Sequence, residues 1–121
     1  MKATISILLF LCLATSALAA DKWTTEDKAL QATYFTLKFV DWRQTRYIAK
    51  HEDEYYEMNP VLGKHPSTAE VDAYFAATSV LHLAVTHYLP QRYRKWWQMV
   101  TIGVSGACVV NNFAVGIKMD W

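Results

Sequence analysis

Three polar groupings in this chain carry residue types that do chemistry: Asp41-x-x-Gln44-Thr45, Glu57-x-Asn59-Pro60, and the adjacent amides Asn111 and Asn112. At 100° per residue, Asp41 and Gln44 fall on one helical stripe with Leu30, Tyr34, Leu37 and Ile48, and Thr45 lies at its margin. A carboxylate, an amide and a hydroxyl on an otherwise apolar stripe point toward protein. Glu57 brought back against Asp41 would make a paired-carboxylate site, in which one charge disfavours the other and the two pKa values separate. That pair is the candidate for acid-base catalysis. The competing reading of Asp41 is an ion pair with Lys38 or with a basic residue one turn away. For Glu57 and Asn59 it is a structural corner, since Pro60 ends any helix and Asn59 can bridge a turn.

Other candidates are weaker. Asp72, Ser79 and Thr86 recur at seven-residue spacing and form a narrow polar stripe, with His82 on the same segment as a hydrogen-bonded packing residue. His82 and His87 are five apart, about 140° around a helix, whereas a shared metal asks for four. His51 and His65 lie in a connection. No HExxH or CxxC is present, so no metal and no cofactor is expected. Thr101, Ser105, Cys108 and Asn112 share one face of the last apolar segment, and Gly103 and Ala107 share the other. Small residues let backbones approach closely, so Gly103 and Ala107 are expected to pack against a helix or a second copy of the chain, with Asn111 near that contact and Asn112 joining the polar row.

The elements that must position these groups read as three helices. The first spans about residues 25–50, capped by Thr24 or Thr25 with Glu26 and Asp27 in its first turn. Asn59-Pro60 and Gly63 mark a connection. Ser67-Thr68-Ala69-Glu70 reads as a capping box opening a second helix over 68–89, which Pro90 stops. A third helix is expected over 96–117, where twenty-two residues pass without a formal charge. Its length of about 33 Å would cross a hydrocarbon core of about 30 Å.

Residues 1–19 read as a signal peptide, with Lys2, the apolar run Ile5–Leu13 and the Ala17-Leu18-Ala19 cleavage pattern; an uncleaved anchor is the alternative. Cleavage leaves Cys108 as the sole thiol and no internal disulfide. A net charge of +1, with acidic and basic residues interspersed, argues against a nucleic-acid partner. The composition, 53% hydrophobic and 14% aromatic, together with the Arg92-Tyr93-Arg94-Lys95-Trp96-Trp97 run expected at the head groups, points to the membrane as partner. The fold class expected is therefore all-α: a small polytopic helical membrane bundle of about three transmembrane helices after a signal sequence, residues 20–121 forming a single domain in a bacterial inner membrane. Five basic residues on each side leave orientation open, and the adopted topology, N-terminus outside and C-terminus inside, follows from the cleaved signal and three spans.

The succession Asp41-x-x-Gln44-Thr45, Glu57-x-Asn59-Pro60-x-Leu62-Gly63, Pro66-Ser67 and Asn111-Asn112 resembles that of small bacterial and phage multi-pass membrane proteins. The resemblance covers most of residues 20–121 and implies the membrane class. It implies no activity and no catalytic residue. The function expected is binding of a partner helix or small ligand through a polar cluster of Asp41, Gln44, Asn111 or Asn112, and Asp72. The alternatives are a membrane-embedded enzyme using Asp41 and Glu57, and a soluble periplasmic helical binding domain.

Overall fold

The computed structural model describes residues 20–121; the signal-peptide expectation lies outside the described residues. Helix α1 spans Thr25–Lys50, α2 Thr68–Tyr88 and α3 Gln91–Ala114. The described residues form an all-helical bundle in which α1 is central, packed most extensively on α3 and next on α2.

Each start has a local cause. Thr24 caps α1 in a reciprocal box: its hydroxyl accepts from the Asp27 amide at 3.0 Å, and the Asp27 carboxylate accepts from the Thr24 amide at 2.9 Å. Ser67 caps α2 by accepting from the Glu70 amide at 3.1 Å. The third helix opens five residues earlier than expected, because Leu89 is extended before Pro90 and Pro90 itself serves as the N-cap. It closes at Ala114, short of the expected 117. Gly116, at φ +90, lets the Ile117 amide donate to the Asn112 carbonyl and the Gly116 amide to that of Phe113, the paired bonds of a Schellman stop.

The polytopic membrane bundle expected from the sequence is overturned: among the described residues no helix is long and apolar enough to cross a membrane. The stretch from Trp96 to Ile117 is uncharged, but uncharged is not apolar. Its helical part is diluted by Gln98, Asn111 and Asn112, and the turns before it hold Arg92, Arg94 and Lys95. In α1, Lys38, Asp41 and Arg43 sit mid-helix, and each ionised side chain costs roughly 2.5–3.5 kcal/mol at a bilayer centre. The multi-pass architecture implied by the resemblance falls with the spans.

The interior is unusually polar. Tyr34, Ile48, Val71, Phe75, Val109 and Ile117 are buried, but so are Asp27, Gln31, Asp41, Gln44, Thr45, His82, Thr86, Arg94, Gln98 and Ser105. Along the α1–α3 seam these groups pair in register. The Gln98 side-chain amide donates to the Asp27 carbonyl at 2.9 Å and to the Gln31 side chain at 3.3 Å, and that of Asn112 donates to Gln44 at 3.1 Å. The seam is therefore a ladder of hydrogen bonds in which the Gln98 side-chain oxygen is left buried without a partner, and such a group costs about 1–3 kcal/mol.

Arg94 sits at the end of that ladder, where a head-group position was expected. It is fully buried, and its guanidinium donates to the Asp27 carboxylate at 2.8 Å and to the carbonyls of Asp21, Lys22, Thr86, His87 and Leu89. Three of those carbonyls belong to the end of α2, where helical partners run out. One side chain thus closes the α2–α3 corner and fastens it to the start of α1.

The Gly103–Ala107 contact is also corrected within the chain. Both residues are exposed, and nothing lies within 4 Å of a Cβ placed at Gly103. The glycine of α3 that faces α1 is Gly106, whose Cβ position is 3.9 Å from Leu37. Gly103→Ala should therefore stabilise the fold by about 1 kcal/mol through helix propensity, raising Tm by roughly 4–8 °C. A thermal melt with Tm unchanged or lower would instead indicate a close packing partner at that face.

Candidate functional site

A cavity of about 730 Å³ opens between the C-terminal half of α1, the connection after it, the start of α2 and the end of α3. Its size falls within the range of small-molecule sites, roughly 300–1,000 Å³. Of the sequence candidates, Asp41, Thr45, Glu57, Asn59, Asn111 and Asn112 line it. They come from three separate parts of the chain.

Asp41 and Thr45 reach the cavity because the stripe noted in the sequence faces inward on α1. The Thr45 hydroxyl donates to the Asp41 backbone carbonyl at 2.8 Å, leaving the carboxylate only a 3.5 Å approach from it. Lys38 Nζ stands 3.7 Å from the other carboxylate oxygen. Asp41 is 9% exposed and so holds a buried charge without a short hydrogen bond. Burial raises its pKa above the usual carboxylate value; Lys38 opposes this, while the Glu57 charge adds to it.

Glu57 and Asn59 are delivered by a connection that hydrogen-bonds to itself. The Glu57 carboxylate accepts from the Asn59 amide at 2.9 Å, the Asn59 side chain accepts from the Val61 amide at 3.0 Å, and the Glu57 amide donates to the Lys64 carbonyl at 2.9 Å. These bonds form the expected corner and still leave both side chains on the cavity wall. On α3, Asn112 is tied to Gln44, whose side-chain amide donates in turn to the Val109 carbonyl at 3.3 Å. Gln44 is fully buried behind the wall, so it positions Asn112 and does not line the cavity. Asn111, one residue earlier and about 100° around the helix, is exposed at the rim.

Two candidates lie elsewhere. Asp72 was expected to join the cluster, but both of its oxygens are held by Arg46 Nη1 at 2.7 and 2.6 Å, and the Trp42 indole donates at 2.7 Å. Those hydrogen bonds hold its carboxyl below the usual range. Arg46 also binds Asp120 at 3.1 Å and Lys50 binds it at 2.9 Å, so this network fastens the C-terminal residues to α1. His82 is buried between Tyr34, stacked at 3.5 Å between centroids, and Trp97 at 5.1 Å. Gln31 Nε2 can only donate, so His82 Nδ1 accepts at 3.2 Å and Nε2–H donates to Thr101 at 2.9 Å. Desolvation first, then the Lys38 charge, pull its pKa down to about 4. His82 is a neutral core residue.

Sequence reasoning passed over Tyr74 and Phe75, which also line the cavity, and named Lys38 only as a partner for Asp41, the pairing observed at 3.7 Å. The aromatics gave no polar signal. Cys108 lies on the wall too, but partial burial, then the Asp41 and Glu57 charges, push its thiol upward, so it is no activated nucleophile. Among the described residues no group of three metal-ligating side chains converges. In comparisons with known protein families, curated proteins and solved structures, no match to this chain was found.

Proposed function

We propose that this chain is a helical binding protein whose cavity takes a small organic ligand. The observation that carries the reading is the convergence of Asp41, Glu57, Asn59, Asn111 and Asn112 on one largely apolar cavity of about 730 Å³. A concave site with a few convergent polar groups, one of them a buried and raised carboxyl, is the usual form of a ligand pocket. Ligand-observed NMR with a library of small amphiphiles is expected to find binders that shift the side-chain amides of Asn111 and Asn112. Ala107→Trp, which places an indole on the cavity wall, is expected to abolish those shifts. Binders unaffected by Ala107→Trp would remove the cavity from consideration.

A second reading, acid-base catalysis by Asp41 and Glu57, is favoured by the two carboxylates lining the same cavity. Mass spectrometry of a ligand recovered after incubation separates the two. Unchanged ligand fits binding, and a converted product fits catalysis.

A further inference from the structure

The character of the cavity narrows the ligand class, an inference that rests on the binding reading above. Three carboxylates, Asp41, Glu54 and Glu57, line it against a single cationic side chain, Lys38. That cation shows what the site accommodates. Its ammonium lies 5.5 Å from the Phe75 ring centroid, 5.9 Å from that of Tyr34 and 3.7 Å from Asp41. Ring faces carry negative quadrupole charge, so two rings and a carboxylate around one ammonium make an attractive berth.

The berth is imperfectly filled. At 3.7 Å the Lys38–Asp41 approach is longer than the 2.7–2.9 Å of a charge-assisted hydrogen bond, and the Thr45 hydroxyl is committed elsewhere at 2.8 Å. Asp41, nine-tenths buried, keeps acceptor capacity facing the cavity. Around it the remaining walls are mainly apolar or aromatic, with Tyr74, Val104 and Leu62 among them, and the neutral amides of Asn59, Asn111 and Asn112 add no charge. From this arrangement we infer that the ligand is an organic cation, an ammonium group on a short apolar body, with Asp41 as its counter-ion, Glu57 adding charge, and Lys38 as an internal cation it competes with.

Isothermal titration with hexylamine, hexyltrimethylammonium, hexanoate and hexanol tests this on the purified chain. The expected order places the two cations first. Asp41→Asn and Glu57→Gln, each nearly isosteric, should weaken cation binding by about tenfold or more, and Lys38→Met should strengthen it. Circular dichroism of each variant establishes that the fold persists. Hexanoate binding tightest, and lost in Lys38→Met, would overturn the cation assignment and leave the binding protein standing. Equal binding of cation, anion and alcohol, indifferent to Asp41→Asn, would overturn it in the same way. If none of the four binds, both the ligand class and the binding reading fall.

Discussion

Arg94→Met should remove about 3–5 kcal/mol of folding stability, the cost of breaking a buried ion pair from one side. Arg94 is fully buried and its partner Asp27 nearly so, and the pair closes at 2.8 Å. The substitution leaves the Asp27 charge inside with only its Thr24 bond, and it strips partners from the carbonyls of Thr86, His87 and Leu89. A domain of this size has about 5–15 kcal/mol in total, so the variant should melt on the order of 20 °C lower, or fail to fold. Arg94→Lys should recover little, because an ammonium has three donors and no planar fork to reach five carbonyls and a carboxylate. Asp27→Asn keeps the shape and removes the charge, and should cost less than Arg94→Met. Urea unfolding of the two single variants and the double variant measures the coupling. Additive effects within about 0.5 kcal/mol would mean that the pair is not a unit.

Acidification gives the second large effect. The folded pKa of His82 is about 4 against 6.5 for the free side chain, so the unfolded chain binds the additional proton between those values. Stability is full above about 6.5 and falls as the pH drops toward 4, by about 3 kcal/mol from this residue. Asp27, Asp72 and Asp120 are lowered below the ordinary 3.8, so their contributions are lost only at still lower pH. Asp41 acts in the opposite sense: its raised pKa means that protonation relieves a buried charge, which offsets part of the His82 loss as pH falls. The His82 effect is therefore cleanest in an Asp41→Asn background. Urea midpoints there should drop steeply from pH 6.5 to 4.5, and the slope should vanish when His82→Gln is added. An imidazole NMR resonance of His82 titrating near 6.5 would contradict the assignment.

What the sequence disclosed follows from which signals are local. Thr24, Ser67 and Pro90 act within a turn of where they stand, so the helix starts and stops they govern were readable, apart from the double use of Pro90 as stop and cap. The Asp41-Gln44-Thr45 stripe was readable because helical periodicity sorts faces without any tertiary knowledge. The arrival of Glu57 and Asn59 beside it depends on how a seventeen-residue connection, 51–67, folds back, and no period encodes that. Arg94 was misplaced for the same reason: its neighbours Arg92, Lys95 and Trp96 look like an interface, while the residue that claims it, Asp27, lies 67 positions away. The spans failed on a different point. Absence of charge was taken for apolarity in a segment whose Gln98 and Asn112 serve a hydrogen-bonded seam and whose Asn111 lies at the cavity rim.

That polar seam also governs how the protein responds to temperature. Unfolding raises heat capacity by wetting apolar surface and lowers it by wetting polar groups, and the balance sets the curvature of stability against temperature. Here the groups released from the interior are heavily polar, whereas Val80, Leu81, Val100, Val104, Val110 and Phe113 are exposed already in the folded chain. The heat-capacity increment should fall below the usual 12–15 cal/mol/K per residue or so. A shallow stability curve follows, with little loss on cooling and with an enthalpy of unfolding that changes slowly across the physiological range.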